Sequence, residues 1–175
     1  MTSGEGLRAS ALLFVVAMLQ VVIVSSLAIA GGAPDLLLVT VVAIGLLRGS
    51  VPGAVFGFAA GVIVDLLTLE TLGVTSLVLT LAGFWAGRWI ETTGRGRRLA
   101  PVIAVAVITV LAAVFALVLQ YMLGEEVVAR HALVTVLVPT LLANLALAYP
   151  VYLVTRWAVH ERDALEAAPE VEVLV

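Results

Sequence analysis

The amino-acid sequence predicts an all-α integral membrane protein with about six transmembrane helices in one bundle. Of the 175 residues, 63% are hydrophobic and only 12% are charged, which is far from the composition of soluble domains. The apolar residues are gathered in six runs, most of them close to the roughly 20 residues that span a bilayer. Arginines are confined almost entirely to one side of the bundle that these runs would form, as the positive-inside rule requires.

The six runs cover residues 8–30, 35–48, 52–69, 74–90, 100–123 and 132–157. At 1.5 Å per residue the stretch from Asp35 to Gly49 is only about 22 Å long, whereas the hydrocarbon core is about 30 Å thick. The second and third helices therefore either span the membrane or form a re-entrant hairpin, and both alternatives stay open. We expect one membrane domain, 1–160, followed by a short acidic tail, 161–175.

Turn and capping residues mark the ends of the first helices. The first run anchors the N-terminus in the membrane. The second begins at Asp35, whose carboxylate can accept from the free N–H groups of the first turn, and it ends at Arg48 before a turn that reaches Pro52. The third run ends near Asp65, which lies about 25 Å beyond Arg48 and thus close to the opposite interface.

Asp65 and Asn144 are polar residues within apolar runs. An ionisable group near the membrane is costly unless it is paired or hydrated. We expect Asp65 to pair with a hydroxyl such as that of Thr68 or Thr71, or with a helix N-terminus; contact with a partner or ligand is the alternative. Asn144, in the middle of the sixth run, is expected to form an interhelical hydrogen bond of about 0.6 to 2 kcal/mol rather than to bind a substrate.

Glycine stripes mark two helix faces. Gly53, Gly57 and Gly61 form a GxxxGxxxG pattern in the third run, and Gly83 and Gly87 form a GxxxG pattern in the fourth. Helices in lipid associate through close backbone approach at such small residues. The stripes predict either packing within the bundle or a surface that receives a partner's transmembrane helix.

The arginines predict the orientation. With six crossings and both termini in the cytoplasm, eight of the nine arginines are cytoplasmic. These eight are Arg8, Arg48, Arg88, Arg95, Arg97, Arg98, Arg156 and Arg162, and only Arg130 lies outside.

Composition and motifs argue against several functions. A net charge of −3 without a lysine provides no basic face for nucleic acid. There is no cysteine, and the two histidines are too far apart in sequence to form a recognisable metal motif. Two outer carboxylates could suggest an intramembrane aspartyl peptidase, but the Asn-x-x-Asp motif of that enzyme is missing. We therefore expect neither catalysis nor a metal or cofactor.

The order of short motifs resembles a known family. Gly-Gly-Ala-Pro-Asp-Leu-Leu-Leu is followed by LLRGSVPGAVFGFAAGVIVDLL, and then by Leu-Gly-Val-Thr-Ser-Leu and Ala-Gly-Phe-Trp-Ala-Gly-Arg. Each motif is weak alone, but their order and spacing are similar to those of the rod shape-determining MreD family. The resemblance extends over about 7–157 and is most specific between Pro34 and Arg88.

The resemblance implies a non-enzymatic component of the bacterial cell-elongation machinery in the cytoplasmic membrane. Its implied partners are MreC, the filament protein MreB, and the glycosyltransferase and transpeptidase that synthesise lateral peptidoglycan, with membrane lipid around the bundle. It also implies a bundle similar to the substrate-binding subunits of vitamin transporters of the energy-coupling-factor type. The alternative function is therefore substrate capture in such a transporter, but few polar groups are available on the outer half for a vitamin pocket.

Overall fold

The computed structural model describes residues 3–26, 33–69, 71–93, 99–124 and 136–160. Within these ranges the regular structure is helical. The six α-helices are α1 (Ser3–Ser26), α2 (Leu36–Arg48), α3 (Ser50–Thr68), α4 (Val74–Thr93), α5 (Ala100–Met122) and α6 (Leu137–His160). The prediction of an all-helical membrane protein with about six helices is confirmed.

Helix ends agree closely with the predicted runs for α2 to α5. The predicted end of the first run, the start of the sixth and the acidic tail 161–175 lie outside the described residues, as do five of the nine arginines. By length and composition, three of the described helices can cross a membrane: α3, α5 and the 137–159 part of α6. Large apolar side chains such as Val55, Phe58 and Val107 are more than half exposed on the outside of the bundle, where lipid solvates them.

The short helix α2 lies in the middle of the bundle. Every residue from Leu37 to Leu46 is buried, and α2 contacts each of the five other helices. Its 13 residues extend over about 20 Å. Because α2 is surrounded by protein, its length does not have to match the thickness of the lipid.

A single residue, Gly49, separates α2 from α3. Its φ of +97° lies in the region that favours glycine. The chain reverses there, so that Gly45 and Gly53, four residues before and after the turn, come into contact. The α2–α3 unit is therefore a tight antiparallel hairpin whose two arms both run along the bundle.

The bundle has two ends, which we name by the residues that bound α2. At the Asp35 end, α2, α4 and α6 begin and α1, α3 and α5 finish; at the Arg48 end the order is reversed. Four arginines lie towards the Arg48 end, namely Arg8, Arg48, Arg88 and Arg156. The one-sided distribution that the sequence predicts therefore holds for the arginines in the described part of the chain.

Candidate functional site

The two glycine stripes face each other across the α3–α4 contact. Gly53 lies against Gly83, Gly57 against Leu79, and Gly61 against Ser76. A Cβ atom at any of the five predicted stripe glycines would lie under 3.0 Å from backbone atoms of the other element. Backbone cannot move aside as a flexible side chain can, so these positions admit only glycine at the observed helix spacing.

Gly45 belongs to the same contact, although the sequence analysis did not select it. A Cβ on Gly45 would lie 2.6 Å from the carbonyl oxygen of Gly83. The backbones of α2, α3 and α4 thus meet at Gly45, Gly53 and Gly83. The sequence does contain a pattern that points to Gly45. The four-residue spacing of Gly53, Gly57 and Gly61 extends back through Gly49 to Gly45, across the break between α2 and α3.

The geometry decides between the two interpretations of the stripes. Each glycine face is already occupied by the backbone of another helix of the same bundle. No space remains at these faces for a further backbone, so a partner's helix does not fit at Gly57 or Gly83. The stripes hold α2, α3 and α4 together.

Asp65 is 1% exposed and caps the N-terminus of α4 from the end of α3. Its Oδ2 accepts from the backbone N–H of Gly73 at 2.8 Å and from the hydroxyl of Ser76 at 3.2 Å. The expected pairing with a helix N-terminus is thus present, whereas Thr68 donates instead to the carbonyl oxygen of Val64. Oδ1 of Asp65 is buried and accepts from no donor among the described residues.

Glu91 forms the corresponding cap at the Arg48 end, and the sequence analysis missed it. Its Oε1 accepts from the backbone N–H of Ser50 at 2.7 Å and from the Ser50 hydroxyl at 2.9 Å. Arg88 lies 3.7 Å from its other oxygen. Hence α3 caps α4 through Asp65 and α4 caps α3 through Glu91, and each carboxylate meets the positive end of the other helix's dipole.

A polar cluster surrounds the start of α2. Asp35 accepts from the N–H of Leu38 at 2.9 Å, which is the predicted N-cap. The backbone N–H of Asp35 donates to Oδ1 of Asn144 at 2.7 Å, and Nδ2 of Asn144 donates to the hydroxyl of Thr109 at 3.2 Å. Asn144 is fully buried, and through these hydrogen bonds it links α6 to α2 and α5.

Gln20 completes this cluster from α1. Its Oε1 accepts from the N–H of Leu36 at 2.9 Å, and its Nε2 donates to the carbonyl oxygen of Pro34 at 3.2 Å. Four helices therefore meet at the first turn of α2 through hydrogen bonds. Nothing in the pattern of the first run distinguishes Gln20 from a polar residue near a helix end.

Arg48 closes α2 at the opposite end. Its Nη2 donates to the backbone carbonyl oxygen of Val159 in the last turn of α6. A guanidinium at a helix C-terminus satisfies a free carbonyl and meets the negative end of the dipole. From the sequence, Arg48 was expected only to lie on the cytoplasmic side and to end the second run. Its hydrogen bond to α6 is seen only in the structure.

Cavities lie on both sides of α5. Two of about 320 Å³ each form one groove between α4 and α5 and share Trp85, Ile108 and Leu111. A third, of about 270 Å³, lies where α5 and α6 meet α2 and has Asp35 and Asn144 in its wall. Within the described ranges, no three of the residues His, Cys, Asp and Glu lie close enough together to hold a metal ion.

Comparison with known families gives one match. The family model described as rod shape-determining protein MreD matches residues 7–157. The searches of curated proteins and of solved structures gave no significant match. The family match covers all six helices except the ends of α1 and α6.

Proposed function

The chain belongs to the MreD family of rod shape-determining membrane proteins, and on that premise we propose that it is a non-enzymatic scaffold of the bacterial cell-elongation machinery that binds MreC. The supporting observation is how the polar groups are used. Asp35, Arg48, Asp65 and Glu91 all cap helix ends of the bundle itself. These four charged groups thus hold the helices of the bundle in place.

The groove between α4 and α5 is the surface that we propose for the partner's membrane helix. The glycine stripes are occupied internally, so close backbone approach is not available to a partner there. The groove instead offers recesses for side chains and two tryptophans, Trp85 and Trp89, along its wall. Trp85 is 56% exposed, and tryptophan is enriched among residues that contribute most to binding energy.

The proposal places the protein in the bacterial cytoplasmic membrane with both termini in the cytoplasm. The Arg48 end then faces the cytoplasm, in accordance with the positive-inside rule. Reporter fusions after Gly94 and Glu161 should report the cytoplasm, and a fusion after Glu126 should report the outside. A cytoplasmic signal at Glu126 would contradict this orientation.

Depletion and capture test the function. Loss of the protein should turn rod-shaped cells round or swollen, because lateral peptidoglycan synthesis would lose its scaffold. Tagged protein purified from native membranes should retain MreC and, more weakly, MreB and the wall-synthesis glycosyltransferase and transpeptidase. Tight binding of a vitamin together with an energy-coupling ATPase module would instead support the transporter function and overturn the scaffold.

A further inference from the structure

The cavity between α5, α6 and α2 differs from the α4–α5 groove in its polar lining. We propose that it binds a small molecule that carries a protonated amine on a short apolar body, a function beyond that of the scaffold. The polar side chains in its wall are Asp35, Thr109, Gln120, Thr140 and Asn144. The remaining lining residues are apolar, which is the usual composition of a small-molecule site.

The charge of the cavity sets the sign of the ligand. Asp35 is the one charged residue in its described wall. The Asp35 carboxylate accepts from the Leu38 N–H at the N-terminus of α2, and an ammonium group bound beside it would favour its ionised form. Each carboxylate oxygen can accept more than one hydrogen bond, so capping α2 leaves acceptor capacity for an ammonium group.

The other polar side chains of the wall differ in whether they already have hydrogen-bond partners. Asn144 and Thr109 are held by each other and by the backbone of Asp35. Gln120 and Thr140 form no hydrogen bond within the described residues, although polar groups at membrane depth normally find partners. The Thr140 hydroxyl oxygen is an acceptor that the ligand's N–H groups can satisfy.

The shape of the cavity limits the size of the ligand. Thr140 lies one helical turn before Asn144, and Gln120 lies three turns after Thr109, about 16 Å further along α5 towards the Asp35 end. Ala112, Ala113 and Ala116 line the wall between them and leave the space open. About 270 Å³ is at the lower limit for ligand pockets, so the apolar body is a few carbons long.

Fluorine NMR of full-length protein in lipid nanodiscs tests the proposal, with 4,4,4-trifluorobutylamine as the probe and trifluorobutanol as its uncharged match. We expect saturable binding of the amine and weaker binding of the alcohol. Asp35→Asn keeps a good N-cap residue but removes the charge, and should weaken amine binding at least about tenfold, because a charge-assisted hydrogen bond is lost. Glu91→Gln removes a carboxylate at the other end and should leave amine binding unchanged.

A second variant keeps the test decisive if Asp35→Asn does not fold. Thr140→Val removes a hydroxyl that lines the cavity one turn from Asn144 and forms no hydrogen bond within the described residues, and should weaken amine binding several-fold while the thermal transition stays the same. Tyr121→Phe likewise removes a hydroxyl but lies outside the cavity wall, and is the matched control. Non-saturable uptake of the amine, or equal binding by the wild type and by the folded cavity variants, would overturn the proposal.

Discussion

The α2–α3–α4 side of the molecule and the α5 side are both built mainly from apolar residues but pack in different ways. On the first side, glycines bring three backbones into contact at Gly45, Gly53 and Gly83. On the second, α5 contains no glycine, and cavities of about 270 to 320 Å³ lie along both of its flanks. The α2–α3–α4 side is therefore the fixed part of the bundle, and the α5 side carries the open surfaces.

This difference shows what determines packing in lipid. Apolar burial does not favour one helix pair over another, because lipid tails are as apolar as leucine. Side-chain size and hydrogen bonds at helix ends decide instead which helices come close. The reciprocal caps of Asp65 and Glu91 lie on the side that is also glycine-packed, so contact and capping reinforce each other there.

The largest effect is expected from overfilling the glycine contact. Gly57→Leu places a side chain against the backbone of Leu79 and should destabilise the bundle by more than about 3 kcal/mol, since overpacking against movable side chains already costs about 1–3 kcal/mol. Thermal unfolding in detergent measures the loss. Gly6→Leu is the control, because a Cβ there meets no atom within 4 Å. Equal stability of the two variants would mean that the stripe does not pack against α4.

Removing the buried cap should have the next largest effect. Asp65→Leu leaves the Gly73 N–H and the Ser76 hydroxyl without an acceptor, which should cost about 2 kcal/mol. Glu91→Leu removes the corresponding cap at the half-exposed Arg48 end, where water replaces it, and should cost less. Thermal unfolding of the two variants, measured in parallel, gives the comparison. An equal or larger loss of stability for Glu91→Leu would show that burial does not determine how much a cap contributes to stability.

A smaller effect is expected where α5 joins the bundle. Asn144→Leu removes the hydrogen bonds that link α6 to α2 and α5, and the Asn144–Thr109 pair should show a coupling energy of about 0.6 to 2 kcal/mol. A double-mutant cycle with Thr109→Val gives this value directly. A coupling energy near zero would mean that the polar cluster does not hold α5.

The smallest effect on stability is expected from filling the α4–α5 groove. Val107→Trp changes an exposed groove residue and should alter stability by no more than about 0.5 kcal/mol, as surface substitutions do. It should nevertheless reduce recovery of MreC several-fold in a pull-down from membranes. Val55→Trp, at a similarly exposed position on α3, should leave recovery unchanged. A loss of MreC recovery with Val55→Trp alone would mean that the partner binds on the α3 side instead.

Much of the fold could be predicted from the sequence because turn residues interrupt the apolar runs. Asp35 and Gly49 mark both ends of α2 to within one residue. The central position of α2 could not be predicted, because a helix surrounded by protein and one surrounded by lipid are equally apolar. The similarity to vitamin-transporter subunits stays a prediction.

The candidate site was predictable in part. The stripe glycines, Asp65 and Asn144 were selected because a polar or small residue stands out in an apolar run. Glu91 was missed because a carboxylate in the last turn of a helix usually faces solvent, and its partner Ser50 is 41 residues away in sequence. Such long-range caps follow from how helices pair, which a local pattern does not show.

Site-specific photocrosslinking in native membranes tests the central claim most directly. A photoreactive residue at Leu111, in the α4–α5 groove, and one at Phe58, on the lipid-facing side of α3, are matched in exposure at 55% and 57%. The account predicts that Leu111 crosslinks to the membrane segment of MreC and that Phe58 does not. Crosslinking from Phe58 with none from Leu111 would contradict it.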